Sequence, residues 1–323
     1  MLRTALTMSA ITGDNFKITS IRGNRSNPGL KRQHLECVKA AARLCDAKLV
    51  GDKLNSKELE FKPGHLRNES FSVNIGTAGS ITLLLDTVLP IATQFSDDFR
   101  IDVKGGTDVK WSPPADYFSE VKLDLLNELG LNSGFSLKRT GYYPKGNGEA
   151  RLSVNGSELS EINITDRGTL EGFEIFSKAS TDLKDQEVAD RQADELARKL
   201  KNSHISKEIK KNVNHVETDS TGSSLVLKAV YESSVAGFDS LGEQGKKAEK
   251  VADEVYKDFR GFHGSEAAVD GRMADQLMVL IALTGGEISV PEVTPHIQTN
   301  NYVLNKFNKG LTISRARRTF ISR

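Results

Sequence analysis

The chain has 323 residues, 37% of them hydrophobic, and a formal net charge of +1. That is enough apolar material to core one large domain or two, and it excludes a global field that gathers polyanions; any polyanion must meet a local basic cluster. No apolar run approaches the roughly 18 residues of a membrane span, and the first residues lack the charged-then-apolar order of a signal peptide, so a cytoplasmic protein without a membrane partner is expected.

Leu2, Ala5, Leu6 and Ala10 set helical spacing almost from the first residue, and Phe16 to Ile21 alternates as a strand. Arg22, Arg25, Lys31 and Arg32 then crowd a loop turned by Pro28-Gly29. A helical stripe of Leu30, His34, Cys37, Val38, Ala41, Leu44 and Cys45 follows. The basic loop therefore ends at a helix N-terminus, where free N–H groups and the dipole favour an anion and arginine forks match phosphate oxygens. Taken alone, the loop reads equally as a solvated charged turn and His34 as a satisfied core histidine. Cys37 and Cys45 lie eight residues apart on this helix. At ~1.5 Å rise per residue that is roughly 12 Å, beyond disulfide reach, so both read as small core residues.

Strands are expected at Glu58 to Lys62, Phe71 to Ile75 and Phe99 to Val103, and helices at Ile81 to Ile91 and from about Asp116 to Leu129. Near Ser177 the texture changes. A charged amphipathic helix from Val188 to Leu200, an exposed basic stretch at Lys207 to Lys211, a strand at Ser223 to Tyr231 and a helix through Ala248, Val251, Val255 and Phe259 read as a small α/β insertion with solvated faces.

The run Asp270 to Asn300 opens with a turn and an apolar helix, breaks at Gly285-Gly286, and continues as a strand and a loop carrying His296. With this run, an internal repeat is expected: three times a turn feeds an apolar helix, a strand, a proline loop and a second helix. The copies are Leu2 to Ile21 with Pro28, Gly79 to Val103 with Pro113-Pro114, and Gly271 to Val293 with Pro295. The expected fold is α/β (α+β): a large domain of three tandem βα-type units, residues 1–176 plus 260–323, with a small inserted α/β domain at 177–259. The basic tail Ser314 to Arg318 reads as a solvated terminus or a contact to an RNA backbone.

A lone loop histidine is more often structural than nucleophilic; its company decides. Asp275 sits in the first turn of the preceding helix, placed to bind the edge of a nucleotide, and Arg22 and Arg25 come from the same kind of loop in another copy. These residues carry a resemblance. Ile18 to Lys39 (ITSIRGNRSNPGLKRQHLECVK), Gly76 to Pro90 (GTAGSITLLLDTVLP), Gly105 to Asp116 (GGTDVKWSPPAD), Gly141 to Gly148 (GYYPKGNG), Met273 to Gly285 (MADQLMVLIALTG) and His296 to Asn300 (HIQTN) resemble signature blocks of the RNA 3′-terminal phosphate cyclases. The resemblance covers nearly the whole chain and is weakest across the insertion.

The resemblance implies an enzyme that converts an RNA 3′-phosphate to a 2′,3′-cyclic phosphate with ATP and a divalent metal, Mg or Mn. His296 matches the family's nucleophile, which takes AMP from ATP and passes it to the RNA 3′-phosphate. Arg272, Met273, Ala274, Asp275 and Gln276 match the nucleotide-binding segment. Arg3, Arg22, Arg25, Gln33 and His34 match positions around the phosphates. Asp86 stands in the nucleotide site where the cyclases usually carry glutamine, so an anion there would repel ATP phosphates unless it bound metal or sat by the ribose. The family's leading strand and glycine-rich turn, whose glutamate helps hold the metal, have no counterpart before Leu2, and no metal ligand is assigned in this chain. The other reading is a non-catalytic cyclase-like RNA-binding protein of ribosome assembly, a branch that lacks the nucleophile.

Overall fold

A computed structural model of the chain describes residues 1–156, 159–203, 205–315 and 318–323. Helix α1 (Leu2–Thr12) leads into β1 (Phe16–Ile18), α2 (Arg32–Leu44), β2 (Lys48–Val50) and β3 (Leu59–Lys62). Next come β4 (Phe71–Asn74), α3 (Ile81–Ala92), β5 (Phe99–Gly105), a π-helical turn (Tyr117–Leu123) running into α4 (Asp124–Glu128), β6 (Ser133–Arg139) and β7 (Gly148–Val154). After β8 (Ile162–Ile164) the chain builds β9 (Leu170–Ser180), α5 (Val188–Asn202), β10 (Glu208–Val216), β11 (Ser223–Tyr231), β12 (Ser234–Leu241) and α6 (Ala248–Ser265). It returns with α7 (Gly271–Thr284), β13 (Gly286–Val290), α8 (Pro295–Lys306), β14 (Thr312–Arg315) and β15 (Thr319–Ser322). The architecture is mixed α+β.

Four sheets result, ordered β1-β3-β2, β4-β5-β7-β6, β8-β13-β15-β14 and β10-β9-β11-β12. The second and third share one pattern: a parallel first pair, β4 with β5 and β8 with β13, then antiparallel neighbours. The apolar faces of these sheets and of helices α1, α2, α3 and α7 close on one large core that includes Leu6, Val38, Leu84, Leu277 and Ile288. A second core fills the space between the β9–β12 sheet and helices α5 and α6, with Phe173, Leu196, Leu227, Val255 and Phe259 at its centre. Cys37 and Cys45 are free and buried.

Several elements differ from the expectations. Strand β9 begins at Leu170, before the change of texture expected near Ser177, and Leu170, Phe173 and Ile175 point inward from its first half. The basic stretch at Lys207 to Lys211 belongs largely to β10, an edge strand paired in parallel only with β9, and its lysines protect that edge from further pairing. His296 lies not in a loop but in the first turn of α8, since Thr294 accepts a hydrogen bond from the Ile297 N–H at 3.1 Å and Pro295 needs no N–H partner there. Of the basic tail, Ala316 and Arg317 lie outside the described residues.

One buried carboxylate fixes the entry to α7. Asp270 Oδ1 accepts from the N–H groups of Arg272 and Met273, both at 2.9 Å, and from the Tyr117 hydroxyl at 3.0 Å, while Oδ2 accepts from the Gly237 N–H at 3.0 Å. A single side chain thereby joins α7, the π-helical turn and β12. Removing it deletes a helix cap and leaves buried donors unmet, at about 1 kcal/mol for the cap and 1–3 kcal/mol for each donor. Asp270→Ala is expected to lower unfolding free energy in urea by about 3 kcal/mol, and Asp270→Asn, which retains a cap oxygen, by less; a loss below about 1 kcal/mol for alanine contradicts the hub.

Candidate active site

The N-terminal turns of α1, α2 and α8, the middle of α3 and the second turn of α7 enclose a cleft of about 480 Å³. Its lining brings together Arg3, Arg22, His34, Asp86, Asp275, Gln276 and His296. The volume falls in the range of small-molecule sites. Leu2 and Val279 give the cleft an apolar wall beside these polar groups.

His296 is exposed on the first turn of α8, so its ring faces the cleft rather than the core. Asn300, one turn further along, fixes the orientation of that helix. Its Oδ1 accepts from the Thr4 hydroxyl at 2.8 Å and its Nδ2 donates to the Asp275 carbonyl at 3.3 Å, linking α8 to α1 and α7. Residues four apart share a helix face, so the tether on Asn300 sets the direction of His296.

Arg22 stands at φ 54° in the loop before α2 and its Nη1 donates to the carbonyls of Asn27 at 2.7 Å and Gly29 at 3.4 Å. Gly29 makes that wrap possible: at φ 81°, an added Cβ would lie 2.2 Å from the Asn55 carbonyl oxygen. Arg22 and Arg3 form no ion pair among the described residues, so both guanidinium charges remain available to a ligand. His34 Nδ1 accepts from the Lys31 N–H at 3.4 Å, which leaves Nε2 as the ring's N–H donor. Burial first, then the charges of Arg22, Arg3 and Lys31, push the His34 pKa down to about 4, so the ring is neutral at pH 7.

Two buried acceptors in the wall, Asp275 Oδ1 and Gln276 Oε1, find no hydrogen-bond partner among the described residues. Burial raises the pKa of Asp275, opposed by the charges of His296 and Arg3. Buried, unmet acceptors beside an apolar wall suit the hydrogen-bonding edge of a bound small molecule. Asp86 is different: Lys122 Nζ lies 2.6 Å from its Oδ1, with side-chain exposures of 2% for the lysine and 10% for the aspartate. The anion is neutralised inside the protein and does not confront the cleft as a free charge. The π-helical turn explains why Lys122 is there. Its i→i+5 repeat brings Tyr117 and Lys122 to one side of the helix, Tyr117 reaching Asp270 and Lys122 reaching Asp86.

The remaining expected site residues lie apart from this cleft. Met273 and Ala274 are fully buried in the large core. Arg272 turns towards the insertion, 2.8 Å from Asp239 and over the Tyr117 ring. Arg25 is exposed on the loop beyond Arg22. Gln33 lines a second cleft, its Oε1 accepting from the Ser80 N–H at 3.0 Å. Asn300, Thr4 and Lys122 were not singled out from the sequence. Asn300 stood in the HIQTN block, whereas Lys122 is joined to Asp86 only by the fold.

The family description "RNA 3′-terminal phosphate cyclase" matches residues 1–311. The chain belongs to the RNA 3′-terminal phosphate cyclase family. A protein of that name from Halobacterium salinarum is 39% identical over 324 residues, covering 97% of this chain and 93% of its own. Proteins of the same name from Saccharolobus solfataricus and Saccharolobus islandicus are each 40% identical over 309 residues, covering 95% of this chain and 90% of their own.

Two outcomes follow for this cyclase-family cleft. Lys122→Met strands a buried carboxylate, and breaking such a pair costs about 3–5 kcal/mol. The expected result in urea unfolding is a loss of that order, largely recovered by adding Asp86→Gln; an unchanged single variant contradicts the pairing. His34 supplies a pH dependence. Its folded pKa of about 4 lies below the unfolded value of ~6.5, so the unfolded chain binds the proton first and stability falls as pH drops between those values. The loss is at most about 3 kcal/mol. His34→Gln should flatten that limb of the stability-pH curve, and an unchanged limb contradicts the assignment.

Proposed function

We propose that the protein is an ATP-dependent RNA 3′-terminal phosphate cyclase whose nucleophile is His296. The observation that carries this reading is the exposed imidazole in one cleft with Arg3, Arg22 and the unmet acceptors of Asp275 and Gln276. An imidazole nitrogen attacks the α-phosphorus of ATP; a P–N bond forms, the bond to pyrophosphate breaks and the ring loses a proton. An oxygen of the RNA 3′-phosphate then attacks the same phosphorus and the P–N bond breaks, leaving AMP on the RNA. The neighbouring 2′-oxygen attacks the activated 3′-phosphate, loses its proton and expels AMP. A phosphate monoester has no good leaving group of its own, and adenylylation provides one.

In this reading Arg3, Arg22 and the His34 N–H steady the phosphate charge, and the wall of Asp275, Gln276, Leu2 and Val279 receives the nucleoside. Neutralised by Lys122, Asp86 sits in that wall without repelling phosphates. Arg25 and Gln33 contact RNA rather than the triphosphate, and Arg272, Met273 and Ala274 act by shaping the α7 entry. The residues do not fit a protein-held metal: among the described residues no group of three His, Cys, Asp or Glu side chains converges. A divalent ion would arrive with the phosphates of the nucleotide, and no step here depends on it.

We further infer that the large domain is a tandem array of three βα-type units interrupted by an inserted domain, whose expected bounds of 177–259 widen to Leu170 and Ala267 because β9 and α6 pack on the second core. The matching strand order and pairing of the second and third sheets support this.

Incubation with α-labelled ATP and divalent metal is the test. The wild-type chain is expected to take up label, His296→Ala none, and Arg22→Ala at least tenfold less with an unchanged melting temperature. A wild-type chain that stays unlabelled yet binds RNA is a non-catalytic cyclase-like binder.

A further inference from the structure

A second cleft, of about 730 Å³, opens between the Val109–Ser112 turn, the Tyr142-Tyr143 turn and two loops of the insertion around Gly222 and Gly242. Its mouth carries the two most exposed large aromatic side chains among the described residues: Trp111 is 95% exposed and Tyr143 75% exposed. Trp111 stands at φ 63°, a conformation a bulky residue rarely adopts. The backbone thus holds the indole ring out of the protein, largely exposed.

Beneath the aromatics the cleft is polar. Asp108 Oδ2 accepts from the Thr107 hydroxyl at 2.5 Å, while Oδ1 is buried and finds no hydrogen-bond partner among the described residues. Lys178 Nζ lies 3.7 Å from that oxygen and Lys110 Nζ lies 2.8 Å from Glu243, so each carboxylate of the cleft is matched by a cation. Lys145 is exposed two residues beyond Tyr143. The far wall is seated firmly: Gly222 lies so close to the Tyr142 ring that an added Cβ would be 2.3 Å from it.

Exposed π-faces beside the exposed Lys145 are what unpaired nucleobases recognise: bases stack on the rings and a backbone phosphate meets the lysine. The two clefts flank the start of α2, where Gln33 lines the second and His34 the first. We propose that the second cleft is a subsite for single-stranded RNA, stacking bases upstream of a 3′-end held in the first cleft on Trp111 and Tyr143. This rests on the cyclase reading above.

Trp111 is the chain's one tryptophan, so its emission reports on the cleft without a label. A six-nucleotide oligoadenylate ending in a 3′-phosphate is titrated into the full chain, with binding followed separately by anisotropy of a 5′-tagged copy. Quenching of Trp111 emission should track the anisotropy. Trp111→Ala and Tyr143→Ala should each weaken hexamer binding about tenfold, leaving dinucleotide binding and ATP labelling of His296 unchanged. Hexamer bound without a change in emission, or bound by both variants within twofold of wild type, overturns the subsite alone. Quenching by RNA in a chain that ATP never labels keeps the subsite and overturns the cyclase reading. A chain that binds no RNA overturns both.

Discussion

The structure depends on one polar tether between three helices. Asn300 takes the Thr4 hydroxyl from α1 and gives its amide to the Asp275 carbonyl of α7. An exposed histidine on a first helical turn has no packing to fix its direction; here the direction comes from the next turn. The helix that carries His296 is locked in rotation against the helix that carries Arg3 and the helix that carries Asp275. Residues nearly three hundred positions apart in sequence become opposite walls of one cleft.

Around that tether the charges are sorted by burial. Asp86 is paired with Lys122 and Asp270 is saturated with donors, so both carboxylates are spent on structure. Among the described residues Arg3 and Arg22 have no ion pair, and the buried acceptors of Asp275 and Gln276 have no donor. Stable interiors satisfy such groups, and a cleft that leaves cations on one side and acceptors on another is shaped to a ligand that is anionic at one end and a hydrogen-bond donor at the other.

Much of this was legible in the sequence, for local reasons. Apolar spacing marked α2, α3 and α7, and Pro28-Gly29 marked the loop that presents Arg22. What escaped was set by the fold. A weaker helix was expected near Tyr302 to Phe307, and the polar run Gln298 to Asn300 hid its first turns, so that α8 begins at Pro295, with Ile297, Val303 and Leu304 facing inward. Gln33 and His34 were grouped as neighbours, yet adjacent helical positions diverge by about 100° and enter different clefts. The partnership of Lys122 with Asp86 spans 36 residues and needs a π-helical turn that no apolar pattern announces.

The most direct measurement is a crystal structure of the chain grown with ATP and a divalent metal. The account predicts continuous density from the His296 ring to the phosphorus of AMP, with the nucleoside against Asp275 and Gln276 and the phosphates facing Arg3 and Arg22. A nucleotide bound away from His296, or one whose phosphates turn from both arginines, contradicts it.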